Sequence, residues 1–293
     1  MTKKDLLRRF MGVITLISPA LNTRLWFMLL FKRRINLKNP KTLDEKIQKM
    51  KLTIYKDNPI YGQCADKYRV RDYICSCGCP EILNDLYQVY DRVDDIDWAN
   101  LPNSFVIKWN FGCGQNLIVT DKSSLDIESA KAKLKKWYKE KNFYLYYSEL
   151  QYKNIKPKLL VEKLIETEDG NLPVDYKLYC FNGNPDCVLV CTERGKGKTP
   201  KFLFFDENGK ILRYNKYGMT KKEQYVLDPI PEHYNQLFDY ARKITRGFPF
   251  VRADFYLEKG KVIFGELTFT PCFGMDTNRL PETQILFGDK TNI

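Results

Sequence analysis

At 293 residues, with 44% hydrophobic and 14% aromatic side chains, the chain is long and apolar enough to bury a substantial core, which excludes a disordered tail. Its formal net charge is +12, and residues 1–35 carry +7 of it, as eight cations (Lys3, Lys4, Arg8, Arg9, Arg24, Lys32, Arg33, Arg34) against Asp5 alone. The remaining +5 is spread over 258 residues, too dilute for a nucleic-acid footprint, so no nucleic-acid partner is expected.

Within the basic leader lie two apolar runs, Phe10 to Ile17 and Leu25 to Phe31, with Pro19 and Arg24 between them. Neither approaches the ~20 apolar residues of a spanning helix. Residues 1–38 therefore read as an amphipathic, membrane-proximal segment lying on an anionic surface; a basic surface helix packed on the domain is the plainer alternative. Asn39-Pro40-Lys41-Thr42 then opens a helix, because Thr42 and Glu45 have the spacing of a capping box. The span 65–74 has helical spacing of Tyr68, Val70 and Tyr73. Cys75, Cys77 and Cys79 lack the paired C-x2-C spacing of a structural zinc site and read as a thiol-rich turn. Nine cysteines without framework spacing point to a reducing compartment, the cytosol being the simplest.

Phe105 to Lys108 is a short apolar strand ending in a lysine, and Leu117 to Thr120 returns as its hairpin partner, so Gly112 and Gly114 form the turn. A lysine-rich helix is predicted over 127–141 and a strand over 158–165. Strands follow at 175–181, 187–192, 201–205, 251–257 and 262–269, with one helix over 232–246 among them. Mixed elements early and antiparallel strands later predict an α+β fold of two lobes.

The segment from Val251 to Thr268 carries the most chemistry. Val251, Ala253, Phe255 and Leu257 alternate with Arg252, Asp254 and Tyr256, which gives one packing face and one functional face. A three-residue Glu258–Gly260 loop would bring Arg252, Asp254, Glu266 and Thr268 onto one face; a two-residue Lys259-Gly260 turn would send Asp254 and Glu266 to opposite faces. Two adjacent carboxylates suit Mg²⁺, with nucleotide phosphates completing its octahedron; scattered charges on a surface hairpin are the plain reading. Lys108, just before Gly112 and Gly114, can meet a phosphate while glycine N–H groups close over it. Gly197-Lys198-Thr199 is not a P-loop, since Thr192 stands where the first glycine belongs. With His233 the only histidine, multi-histidine zinc and Ser-His-Asp chemistry are set aside.

In this order the motifs resemble the ATP-grasp superfamily, and more closely its TupA-like branch, associated with teichuronopeptide and capsular polysaccharide products. The resembling phrases are Leu37 to Gln48, Ala65 to Arg71, Phe105 to Lys108, Gln151 to Pro157, Asp175 to Lys177, Phe181 to Gly183, Gly247 to Asp254 and Gly265 to Pro271. The resemblance implies two lobes of mainly antiparallel sheet with the nucleotide cleft between them: residues 39–100 an N-terminal helical region, 101–165 the first lobe, 166–280 the second with the metal site, 281–293 a tail. It implies ATP and Mg²⁺ as cofactors. Lys108 would touch the α or β phosphate; Gly112, Gly114, Gln115 and Asn116 would cover the β and γ phosphates; Glu162, Lys163 and Leu164 would form the adenine hinge. Lys177 would make a further phosphate contact, Asp254 and Glu266 would ligate the metal, and Arg252 would steady the oxyanion of the reacting carboxyl. Thr268 stands where many relatives have Asn, a weaker metal ligand in its place. The implied activity is ADP-forming carboxylate–amine ligation through an acylphosphate, joining an amine donor to a surface-glycan or uronic-acid carboxylate at the inner face of the membrane. Arg194, Lys196 and Lys198 on their glycine-rich loop could close over an anionic substrate, a solvated loop being the plainer reading. The rivals are a glycosyltransferase of the same pathway and a non-enzymatic basic membrane- or nucleic-acid-binding protein.

Overall fold

In a computed structural model the described residues are 2–165, 167, 172–195, 197, 199–216 and 230–293. The leader forms two helices, α1 (Lys3–Ile17) and α2 (Pro19–Phe31). Thr2 and Asp5 make a reciprocal capping box on α1, and Ser18 caps α2 with Pro19 in its first turn. Met11, Trp26 and Phe27 pack with Tyr147 and Met275, and Trp26 Nε1 donates to Tyr146 O at 2.8 Å. The leader is thus docked on the body along one face. Its other face exposes Phe10 (61%), Leu16 (71%) and Ile17 (79%).

The capping box at Thr42 opens α3 (Leu43–Met50). The predicted helix over 65–74 is instead two helices, α4 (Pro59–Ala65) and α5 (Val70–Ser76). Asp66 divides them, because its Oδ1 accepts the backbone N–H groups of Tyr68 and Arg69 and so competes with the helical ladder.

The first sheet holds β1 (Leu86–Tyr90), β2 (Phe105–Trp109), β3 (Asn116–Val119) and β4 (Leu159–Glu162) in the order β1-β4-β2-β3, all antiparallel. Helix α6 (Ile127–Tyr138), capped by Asp126, covers one face through Leu134, and Trp109 Nε1 donates to Leu134 O. Strand β1 lies before residue 101, so this sheet draws on the region read as helical, 39–100.

The second sheet is β10-β9-β5-β6-β7-β8, again antiparallel throughout, from β5 (Asp175–Phe181), β6 (Asn184–Thr192), β7 (Lys201–Phe205), β8 (Ile211–Leu212), β9 (Phe250–Glu258) and β10 (Lys261–Thr268). Its core joins Leu178, Phe250 and Phe255 to Leu237 and Ile244 of α7 (Tyr234–Ile244). Leu43 and Ile47 of α3 and Phe287 belong to the same core. Residues 281–293, read as a tail, contain α8 (Pro281–Lys290), so closely set on the segment before α3 that a Cβ on Gly288 would lie 1.9 Å from Lys41 O. Two mainly antiparallel sheets with flanking helices make an α+β fold. All nine cysteines are free. Among the described residues no helix is long and apolar enough to cross a membrane.

Candidate active site

The hairpin of β9 and β10 does not have the three-residue loop expected for a shared face. Its turn has two residues, Lys259 (φ 47°) and Gly260 (φ 75°), with Glu258 opposite Lys261. Carried along the strands, that register would put Asp254 and Glu266 on opposite faces. It is not carried along: Phe264 still pairs with Phe255, but Glu266 pairs with Asp254, because a bulge at Gly265 inserts one residue. A Cβ there would lie 3.0 Å from Asp254 O and 3.2 Å from the Tyr256 ring, so the close approach needs glycine. The expected shared face therefore exists, made by the bulge and not by a three-residue loop.

Since β5 also pairs with β9, Lys177, Asp254 and Glu266 lie in one row across three strands, and Tyr179, Arg252 and Thr268 form the next row. Arg252 grips Asp254 with two hydrogen bonds, Nε to Oδ1 at 2.7 Å and Nη2 to Oδ2 at 2.6 Å. Lys177 donates to Asp254 Oδ2 at 2.6 Å and is paired equally closely with Asp175 Oδ2. Arg252 Nη2 is 3.5 Å from Glu266 Oε1, which also accepts the Thr268 hydroxyl at 3.0 Å. Burial pushes the Asp254 carboxyl above its ordinary value, and Arg252 and Lys177 oppose that rise. For Glu266 burial acts in the same sense, yet Lys67, Arg252 and Lys177 outweigh it and lower the carboxyl to about 2. Burial opposes the charge on Lys177 as well, but Asp254 and Asp175 hold it above the usual lysine range.

On the first sheet, Phe105, Ile107 and Trp109 point into the core, so Lys108 lies on the opposite face. There it pairs with Glu162 on β4 at 2.7 Å. In the expected hinge, the Lys163 N–H donates to Asp85 O and its carbonyl accepts the Asn84 amide, while Glu162 pairs with strands on both sides. Gly112 (φ 79°) and Gly114 (φ 70°) shape the loop between β2 and β3, where Asn116 pairs with Lys108. Gln115 Oε1 is buried there without a hydrogen-bond partner among the described residues.

Lys67 joins the two lobes and had no role in the sequence reading. Its Nζ donates to Gly112 O at 2.6 Å and lies 3.9 Å from Glu266 Oε2. Its position is set by the Asp66 turn, where Asn110 Nδ2 donates to Asp66 Oδ1 and Lys67 N donates to Asn110 O. Its one signal was its place in the Ala65 to Arg71 phrase. Asp175 was also passed over, although period-two alternation puts it on the face of Lys177. Arg194 is tied down, 3.4 Å from Asp175 Oδ2 and bonded to Pro173 O. Lys196 and Lys198 lie outside the described residues.

Asp254 and Glu266 are hard oxygen donors on one face. Asp254 Oδ1 accepts a single hydrogen bond, and Lys67 is beyond hydrogen-bond distance of Glu266 Oε2, so each carboxylate keeps coordinating capacity. Among the described residues no group of three or more His, Cys, Asp or Glu could hold a metal ion. Two hard carboxylate donors, Asp254 and Glu266, are of the kind that Mg²⁺ uses when phosphate and water oxygens supply the rest.

A family model described as TupA-like ATPgrasp matches residues 45–292. A search of curated proteins finds no match. Among solved structures, a D-alanine–D-alanine ligase from Bacillus anthracis complexed with ATP is similar at 15% identity and TM-score 0.48, over 78% of this chain and 65% of that one. An L-amino acid ligase from Bacillus licheniformis is similar at 11% identity and TM-score 0.44, over 77% and 48%. The VanG D-Ala:D-Ser ligase from Enterococcus faecalis is similar at 15% identity and TM-score 0.44, over 78% and 60%. The chain thus spans two thirds or less of the length of these three proteins.

Proposed function

Because the chain belongs to the TupA-like ATP-grasp family, we propose that it is an ATP- and Mg²⁺-dependent carboxylate–amine ligase of cell-surface polysaccharide biosynthesis. The observation that carries this reading is the row Lys177, Asp254, Glu266, linked through Lys67 to the glycine loop of the other lobe. A carboxylate oxygen of the substrate attacks the γ phosphorus of ATP, ADP leaves, and an acylphosphate forms. An amine then attacks the acyl carbon, phosphate leaves with that oxygen, and a proton is lost to give the amide.

Each side chain has a part in this scheme. Lys108 and the Gly112 to Asn116 loop neutralise and cover phosphate oxygens, and Glu162 with Leu164 contacts adenine. Asp254 and Glu266 hold Mg²⁺, which when bound offsets charge on the phosphates. Thr268 orients Glu266 through its hydroxyl, and Lys177 meets a phosphate. Arg252 stabilises the tetrahedral oxyanion, a preorganised cation in a partly dry site. The exposed apolar face of α1, flanked by Lys3 and Lys4, sits against an anionic membrane at its cytoplasmic side, each nearby cation adding about 1 kcal/mol at low salt.

The test is incubation with Mg²⁺-ATP, a uronate or amino-acid panel labelled with ¹⁸O in the carboxyl group, and an amine panel. ADP release with ¹⁸O in the phosphate is expected. Label in AMP, or turnover only with a nucleotide-sugar, overturns the proposal.

A further inference from the structure

A cavity of about 690 Å³ lies between the C-terminal end of α2, the segment entering α3 and the start of α8. That volume is in the range of small-molecule sites. Five cations line it (Arg33, Arg34, Lys41, Lys216, Arg279) against two carboxylates, Asp44 and Glu45.

Those carboxylates are already consumed. Glu45 accepts Arg33 Nη1 at 2.6 Å and the backbone N–H groups of Asn36, Lys41 and Thr42. Asp44 accepts Arg279 Nη1, Gln284 Nε2 and the backbone N–H of Asp276. Arg34 and Lys41 have no carboxylate within ion-pair distance among the described residues. Arg279, its side chain 1% exposed, forms part of the wall and is paired with both Asp44 and Asp276, its Nε alone lacking a hydrogen-bond partner among the described residues. Such a concave surplus of donors fits an anion with several acceptor oxygens.

One rim is apolar. Leu30, Phe31 and Ile285 line it, with Leu30 and Ile285 exposed. We propose that this cavity binds the phosphate head of a lipid, with the start of its acyl or prenyl chain against Leu30, Phe31 and Ile285. The orientation rests on the membrane-facing leader proposed above. Arg279 connects the cavity to the row beside it: its Nη2 is 3.5 Å from the Tyr179 hydroxyl, and Tyr179 is the register partner of Arg252. Two buried side chains, Arg279 and Tyr179, thus lie between the cavity and the strand position of Arg252.

The test uses the full chain and monomeric short-chain lipid, so it does not depend on vesicle binding or on turnover. Calorimetric titration with dihexanoyl-phosphatidylglycerol below its micelle concentration is expected to show one saturable site. Glycerol 3-phosphate and dihexanoyl-phosphatidylcholine are expected to bind at least tenfold more weakly. Arg34→Glu with Lys41→Glu is expected to weaken the lipid at least tenfold while leaving ADP binding unchanged; both side chains are exposed, so their reversal leaves the core intact. No saturable binding, or equal binding by the variant, overturns the site. Glycerol 3-phosphate binding as tightly as the lipid makes it a free-anion site and overturns the lipid assignment.

Discussion

Glu266 lies opposite Asp254 because a single residue, Gly265, is bulged out of the ladder between them and the two-residue turn. Both carboxylates thereby face Arg252 and Lys177.

Gly265→Val is expected to disturb function more than folding. Its new Cβ would press on Asp254 O, a backbone atom that cannot rotate aside, at a cost of about 1–3 kcal/mol. A displaced Glu266 should lower ADP release more than tenfold at temperatures where the variant is still folded. Thermal unfolding beside a coupled ADP assay checks this; unchanged turnover would separate the bulge from function.

Asp254→Ala leaves Arg252 and Lys177 without their shared partner in a nearly closed site. A loss of about 3–5 kcal/mol is expected. The double variant with Lys177→Met should lose less than the two single losses combined, since it removes one stranded charge as well. Urea denaturation in a double-mutant cycle measures the coupling, and simple additivity contradicts the shared ion pair.

Lys108→Met should weaken ATP binding at least tenfold, about 1.4 kcal/mol. It should also lower the melting temperature, because Glu162, with 10% of its side chain exposed, is left buried without its partner. Calorimetric titration with a non-hydrolysable ATP analogue decides it; wild-type affinity removes Lys108 from the phosphate site.

The Glu266 carboxyl supplies the pH prediction. Its folded value, about 2, lies below the ordinary 4.5, so its contribution to stability is present above pH 4.5 and is lost as pH falls from there toward 2. Glu266→Gln should lack this component of the acid profile. Denaturation curves at stepped pH check the difference, and identical slopes for the two proteins in that window contradict the lowered value.

Phe10→Glu with Ile17→Glu should sharply reduce binding to anionic vesicles while ATP binding persists, because both side chains are exposed. Deleting residues 1–35 is a poorer test: it strips Phe27 and Trp26 from Tyr147 and Met275 and opens an apolar surface. Vesicle sedimentation reads the effect, and undiminished binding removes α1 as the contact.

What the sequence alone determined was local. The Thr42 and Glu45 spacing marked a helix start, alternation in Val251 to Leu257 marked a functional face, and Lys108 before two glycines marked a strand end and a turn; each depends on neighbours within a few residues. Tertiary structure decided the rest. Strand side chains alternate with period two, so one inserted residue reverses every later face, and no local pattern announced the bulge at Gly265. Lys67 reaches Glu266 only because Asp66 breaks a helix and Asn110 receives the turn, contacts spanning 44 positions. Residues 281–290 look like an unremarkable end until Phe287 is seen in the core. Burial and long-range pairing set these features, and both come into being only when distant segments pack.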